Sequence, residues 1–279
     1  MFGRSIKKYK YLIATIIILL ISVKINLIKQ QITLKPNINR AIQESAEIYH
    51  NNPDQTRSQM IGSVVRLSYF SSMMSIMNSG ESNLDKISTA TGFSIGYDKE
   101  SHVSFVITND HFCERIIIDP TSLLMAEKSN VARVSTNQAS GIISEVIYTS
   151  PEYDLCLLEV FGRIDGAILA QDGYRPEQFE KIFIIGAPSG NLPIIVETFY
   201  SADIPREQIS MGSMTNTGDP FLMTSEMVFP GHSGSPIFNQ DGQVIGVIFA
   251  SFSTYGGIGI PVKDIYTFIE EASNLNTGQ

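Results

Sequence analysis

From about residue 60 the apolar positions of this chain come in short runs separated by Gly, Asn, Asp, Ser and Pro clusters. The runs are "SVVRLSY", "ATGFSIGY", "VSFVIT", "RIIID", "ARVST", "GIISEVIYTS", "LCLLEV", "KIFIIGA", "IIVETFYSA", "PFLMTSE", "SPIFN", "QVIGVIFA" and "GIGIPV". Runs of this length with such punctuation read as antiparallel β-strands. Helical periodicity of any length returns only at the end, in "VKDIYTFIEEASNL". Many short strands and one terminal helix predict an all-β domain, a β-barrel or a pair of barrels. There is no internal repeat and no low-complexity segment.

The first 60 residues follow a different pattern. "GRSIKKYK" carries four cations and leads into "YLIATIIILLISV", thirteen residues without a charge. At ~1.5 Å per residue these span roughly 20 Å as a helix, short of a hydrocarbon core of about 30 Å. If Lys24 snorkels, "INLI" extends the run to Ile28 and the reach to about 27 Å. A cleaved signal peptide is the competing reading, but "SVKINLIKQQ" lacks a small-residue cleavage site. The expectation is therefore a cytoplasmic tip and transmembrane helix over residues 1–34, uncleaved. Arg4, Lys7, Lys8 and Lys10 favour a cytoplasmic N-terminus, a bias weakened by Lys24, Lys29, Lys35 and Arg40. On balance the bulk of the chain is expected on the extracytoplasmic side. In residues 35–59, "NINRAIQESAEIYH" has a helical stripe that "NNPD" stops, which predicts a short helical stalk. Residues 60–279 then form the strand-rich domain.

Composition narrows the function. The 279 residues are 43% hydrophobic and 17% charged, enough to build a substantial core. A formal charge of −8 excludes nucleic acid as the main partner, since phosphate binding needs clustered Lys and Arg. Two cysteines, Cys113 and Cys156, are too few for a disulfide scaffold; both lie in apolar runs and are expected as free buried thiols.

The candidate chemistry centres on Ser233 in "FPGHSGSPIFN". Gly231 and Gly234 around it permit a turn with φ > 0 whose N–H groups converge on an anion. A serine hydroxyl needs a base, and the base an orienting group. Of four histidines, His50 lies in the polar stalk and His102 in the charged turn "DKESH". His232 adjoins Ser233, so its side chain diverges from that hydroxyl. His111 follows the strand "VSFVIT" through "ND", at a strand end where it can face a cleft. Asp154 ends the polar "SPEY" at the lip of the apolar "LCLLEV", where an ionised carboxylate needs a partner. Each alone has a structural explanation; the three together are less easily accidental.

"TNDHF", "SPEYDLCLLEV" and "GHSGSPIFN" resemble the active-site segments of trypsin-like (chymotrypsin-fold) serine proteases, in the order His, Asp, Ser. The resemblance is closest to the HtrA/Deg-like branch, whose strand and closing helix are similar to "KIFIIGAPSG" and "GIGIPVKDI"; the "SGSP" stretch is similar to glutamyl endopeptidases as well. It covers roughly residues 60–275. It implies two antiparallel six-stranded β-barrels and a C-terminal helix. By the same resemblance Ser233 is the nucleophile, His111 the general base and Asp154 its orienting carboxylate. It also implies an oxyanion hole on the backbone of Gly231, His232 and Ser233, with the N–H groups of Gly231 and Ser233 as its donors.

The primary pocket of the family is lined by the residues before the nucleophile and on the strand after it. Here these are Met227, Val228, Phe229 and Pro230, with Ile248, Phe249, Ala250 and Ser251. None is acidic, and Ile248 replaces the histidine of glutamate-specific relatives, so the resemblance implies an apolar pocket for medium-sized side chains. His232 stands where activated trypsins carry an aspartate, which argues against trypsin-style zymogen activation. The PDZ module usual in the HtrA/Deg-like branch is not expected here, and the resemblance is to the protease half only. The contact between His111 and Asp154 that the family requires also brings Cys113 and Cys156 near each other, and a bridge is the alternative to free thiols. The sum is a membrane-anchored serine endopeptidase acting on proteins or peptides without metal or organic cofactor. The rival is a catalytically inactive protease-like fold that binds peptides or acts as a scaffold.

Overall fold

The structure, a computed structural model, describes residues 35–51, 56–70, 86–117, 131–136, 142–188, 193–209, 218–226, 228–251 and 256–277. The apolar stretch 11–28, residues 71–85 and Met227 lie outside these. Among the described residues no helix is long and apolar enough to cross a membrane.

Two helices, α1 (Ile38–Asn51) and α2 (Thr56–Ser63), precede the first barrel. That barrel consists of β1 (Val64–Phe70), β2 (Lys86–Asp98), β3 (Val103–Thr108), β4 (Val131–Ser135), β5 (Ile142–Ser150) and β6 (Leu155–Phe161). It closes in the order β1-β2-β3-β6-β5-β4, with helix α3 (Asp110–Ile117) leaving the end of β3. The second unit comprises β7 (Ile168–Leu169), β8 (Lys181–Gly186), β9 (Ile194–Ile204), β10 (Phe221–Thr224), β11 (Pro236–Phe238), β12 (Gln243–Ser251) and β13 (Gly257–Pro261). Strand β11 pairs with both β8 and β12, closing six strands into a barrel, and β7 adds to β12 in parallel. The chain ends in helix α4 (Val262–Thr277). This is the all-β, double-barrel chymotrypsin-like architecture expected.

Alternation along the strands explains why two barrels pack as one body. In β6, Leu155 and Leu157 join the cluster between the barrels, while Cys156, Leu158 and Val160 fill the first barrel. In β3, Phe105 and Ile107 face the same shared cluster and Val106 the barrel interior. These strands are buried on both faces, so their sequences read as continuous apolar runs. Ile185, Phe221, Phe238 and Val247 meet them from the second barrel, and Val262, Ile265 and Phe268 of α4 seal the cluster.

Two expectations are corrected. Residues 35–59 do not form a free stalk: α1 docks on β2, with Ile38 and Ala41 buried in the shared cluster. A Cβ on Gly96 would lie 2.2 Å from the Ala41 carbonyl oxygen, so the helix backbone rests directly on the strand. Arg40 donates two hydrogen bonds of 2.7 Å to the buried Asp98 carboxylate, and the Tyr49 hydroxyl donates to the Asp241 carbonyl in the second barrel. The apolar stripe that suggested a stalk is the face that seats α1. Of the segment "RIIID", Arg115 to Ile117 are not strand but the end of α3, and Ile118 and Asp119 lie outside the described residues. Its β-branched residues favour strands, but the helix they continue is crosslinked to β6 by the Cys113–Cys156 bond.

Candidate active site

The pairing of β3 with β6 brings His111 to Asp154. Thr108, the last residue of β3, pairs with Cys156; His111 lies three residues past the one and Asp154 two before the other. The Asn109 side-chain amide donates to the Asp154 carbonyl (3.0 Å), holding the turn ahead of β6. Asp154 there has φ +53°, a left-handed conformation unusual for a residue with a side chain. Its carboxylate accepts the His111 backbone N–H at 2.9 Å and meets ring Nδ1 at 2.8 and 3.1 Å. Two anchors on one carboxylate fix the imidazole and leave Nε2 as its outward nitrogen. The His111 side chain is 40% exposed and that of Asp154 10%, so the ring lies at the surface over a mostly buried anion.

Asp110, between Asn109 and His111, is also buried. Burial, reinforced by the neighbouring Asp154 and Glu114 charges, pushes its carboxyl up to about 6. Nothing in the composition of "TND" indicated that Asp110 would be enclosed, or that Asn109 would hold Asp154.

Ser233 sits in the turn between β10 and β11, against the first barrel. Its carbonyl accepts the Thr91 N–H (2.8 Å), while Gly234 donates to the Ile248 carbonyl (2.8 Å). Gly234 has φ +83°, and a Cβ there would lie 2.0 Å from the Thr91 carbonyl oxygen and 2.5 Å from Thr108 Oγ1. Only glycine satisfies both demands. The turn is thus pressed onto the end of β3 from which His111 departs. The Ser233 hydroxyl is partly exposed, and no hydrogen bond joins it to the His111 ring among the described residues. Such bonds are often loose in a ligand-free protease and tighten when substrate binds.

Gly231 has φ +98°. Among the described residues neither its N–H nor that of Ser233 has an acceptor, whereas the His232 N–H donates to the Phe229 carbonyl (3.0 Å). The two open donors, Gly231 and Ser233, are those expected of an anion pocket on the backbone 231–233, while the middle N–H closes the turn. The His232 side chain points inward, its Nδ1 at 3.2 Å from the Phe229 nitrogen, and burial lowers its pKa.

Of the expected pocket residues, Val228, Ile248 and Phe249 are buried, Ala250 is partly so, and Phe229, Pro230 and Ser251 are exposed. Gly257 and Thr224 join them, although neither was singled out in the sequence. A Cβ on Gly257 would meet Val228 Cγ1 at 2.9 Å, Thr224 Oγ1 at 3.0 Å and Ile248 Cδ1 at 3.2 Å. Among the described residues no group of three or more His, Cys, Asp or Glu is arranged to hold a metal ion.

Cys113 and Cys156 are joined in a disulfide, with Cα atoms 6.5 Å apart. This corrects the expectation of free thiols. Both side chains belong to the apolar cluster inside the first barrel, which accommodates the bond.

The profile of the trypsin-like peptidase domain matches residues 90–247. A probable periplasmic DegP-like serine endoprotease from Pseudomonas putida is 25% identical over 181 residues, covering 64% of this chain and 32% of that protein. The Do-like serine protease HtrB of Bacillus subtilis is 24% identical over 188 residues, 63% of this chain and 37% of its own length. The chain thus spans about a third of the length of the curated relatives it matches. Among solved structures, a serine endoprotease from Yersinia pestis superposes with a TM-score of 0.55 at 18% identity, covering 79% of this chain and 66% of that one. Deg5 does so with a TM-score of 0.56 at 16% identity, over 81% and 96% of the two chains. The chain belongs to the trypsin-like peptidase family and is similar to the DegP-like and HtrB serine proteases within it.

Proposed function

We propose that this protein is a serine endopeptidase that cleaves protein or peptide substrates outside the cytoplasm, tethered to the membrane by residues 11–28. The observation that carries the reading is the double seat of His111 on Asp154, beside a serine turn with two vacant N–H donors. Ser233 Oγ attacks the scissile carbonyl carbon while His111 Nε2 takes its proton. Asp154 holds the Nδ1–H tautomer and stabilises the imidazolium. The oxyanion that forms is received by the Gly231 and Ser233 N–H groups, a contribution of about 2.7–4 kcal/mol per donor. His111 returns the proton to the leaving nitrogen as the C–N bond breaks. Water repeats the sequence and releases the acid. Val228, Ile248 and Gly257 pack together as an apolar surrounding that favours medium-sized apolar side chains, while Phe249 packs instead on Phe221 in the shared cluster.

The tether rests on the apolar stretch and its basic flank, and the extracytoplasmic side is supported by the likeness to periplasmic DegP-like endoproteases. Labelling the full chain in detergent with a fluorophosphonate, alongside digestion of an unfolded protein, tests the proposal. Wild type is expected to label and digest. Ser233→Ala should lose labelling, and His111→Ala should lower turnover by at least about 10³-fold. A wild type that neither labels nor cleaves would overturn the catalytic reading in favour of an inactive peptide-binding fold. Extraction of the chain from membranes by alkaline carbonate would overturn the tether alone.

A further inference from the structure

We propose that Thr91 is a positioning residue for the oxyanion turn, its buried hydroxyl holding the Gly231 carbonyl so that the anion-binding N–H groups stay aimed into the site. The inference rests on the serine-peptidase reading and deepens it, because Thr91 touches none of the reacting atoms.

Thr91 lies in β2, fully buried, and both its N–H and its hydroxyl donate to the serine turn. Strand β3 ends at Thr108, and its last register with β2 is Phe93 opposite Ile107, so the backbone of Thr91 lies beyond that ladder. The vacated edge is taken by the serine turn. Thr91 N–H donates to the Ser233 carbonyl (2.8 Å), and Thr91 C=O accepts the Thr108 hydroxyl (2.7 Å). The side chain completes the clamp. The Ala187 N–H, at the end of β8, donates to Thr91 Oγ1 (2.9 Å), and Oγ1 lies 2.7 Å from the Gly231 carbonyl oxygen. An N–H can only donate and a carbonyl only accept, so the single hydroxyl proton must point at Gly231. One threonine therefore joins both barrels to the carbonyls on either side of His232.

Holding those two carbonyls fixes the peptide planes that bracket the His232–Ser233 amide. Gly231, at φ +98°, has no side chain to resist rotation. Without the hydroxyl the Gly231–His232 peptide keeps only its N–H bond to the Phe229 carbonyl, so the plane can tilt and carry the flanking Gly231 and Ser233 N–H groups off the point where negative charge develops. The Ser233 carbonyl keeps its backbone bond to Thr91 in every variant, so the effect is confined to the anion pocket.

The test compares the full chain with Thr91→Val, Thr91→Ala and Thr91→Ser. Readouts are kcat and KM on a peptide substrate and the affinity of a peptidyl boronic acid, which becomes tetrahedral on Ser233. The folded fraction is fixed by near-UV circular dichroism. Val and Ala are expected to lower kcat about 10- to 100-fold with KM within about threefold, and to weaken the boronate by a similar factor. Ser restores both to within about threefold of wild type. If Val does not fold, Ala removes the same hydroxyl without bulk and Ser still reports the rescue. Wild-type kcat and boronate affinity in a folded Val or Ala variant would overturn the proposal. So would a Ser variant as impaired as Val, or a kcat loss with unchanged boronate affinity. Absence of activity in wild type would instead overturn the peptidase reading.

Discussion

Cys113 is bonded to Cys156, and each lies two residues beyond a member of the His111–Asp154 pair. The crosslink therefore ties the first turns of α3 to β6 directly beneath the contact between imidazole and carboxylate. It spans 43 residues of chain, a loop for which chain-entropy arguments give about 4 kcal/mol. Non-reduced protein should be two hydrogens lighter by intact mass than reduced protein. The double variant Cys113→Ser, Cys156→Ser should lose about 2–4 kcal/mol in urea unfolding. Equal stability with and without reductant would show that the bond does not form.

Docking of α1 is testable through Asp98. Burial raises its pKa, but hydrogen bonds from Arg40, Ser101 and the N–H groups of Asn37 and Glu100 outweigh that and hold it at about 2. A depressed carboxylate stabilises the fold above its ordinary pKa of 3.8 and loses that contribution as pH falls toward 2. Asp98→Asn is expected to cost about 2 kcal/mol at pH 7, with the gap from wild type shrinking between about pH 4 and pH 2. Urea titrations across that range check it.

Asp110 has the opposite sign. Its folded pKa is raised to about 6, so the folded chain binds more protons than the unfolded one between 3.8 and about 6. Its contribution is most favourable below 3.8 and is lost as pH rises through 6. Asp110→Asn should therefore stabilise the protein by about 1–3 kcal/mol at pH 8 and leave it nearly unchanged at pH 4. A destabilised Asn variant at pH 8 would contradict the burial of an unpaired charge beside Asp154.

Two glycines with left-handed backbones separate conformational strain from crowding. Gly234→Ala places a methyl group against the Thr91 carbonyl and Thr108 hydroxyl, whereas around Gly173 (φ +74°) a Cβ meets nothing within 4 Å. Gly173→Ala is expected to cost about 1–2 kcal/mol, from strain alone. Gly234→Ala should cost more than about 3 kcal/mol, or shift the turn and abolish fluorophosphonate labelling. Paired urea unfolding and labelling experiments distinguish the two.

Strand positions were legible because strands buried on two faces leave continuous apolar runs, and "VSFVIT", "LCLLEV" and "QVIGVIFA" lie where they were read. Helix α3 was misread because isoleucines at 116–118 favour strands, and the bond that holds this helix joins residues far apart in the chain. The amphipathic stripe of α1 was visible, but not the groove it fills. Asn109, Thr91 and Gly257 carried no signal: an asparagine, a threonine and a glycine in or beside strands are ordinary, and their partners lie 17 to 140 residues away.

The sequence by itself determined the alternation that closes two barrels and the order in which histidine, aspartate and serine arrive, since both are properties of local spacing. Tertiary structure alone decided that α1 belongs to the folded body, that the cysteines bond, and that Thr91 clamps the serine turn. Those outcomes depend on which hydrogen bonds and thiols meet across distant segments. The packing of one barrel against the other sets that, and no run of neighbouring residues encodes it.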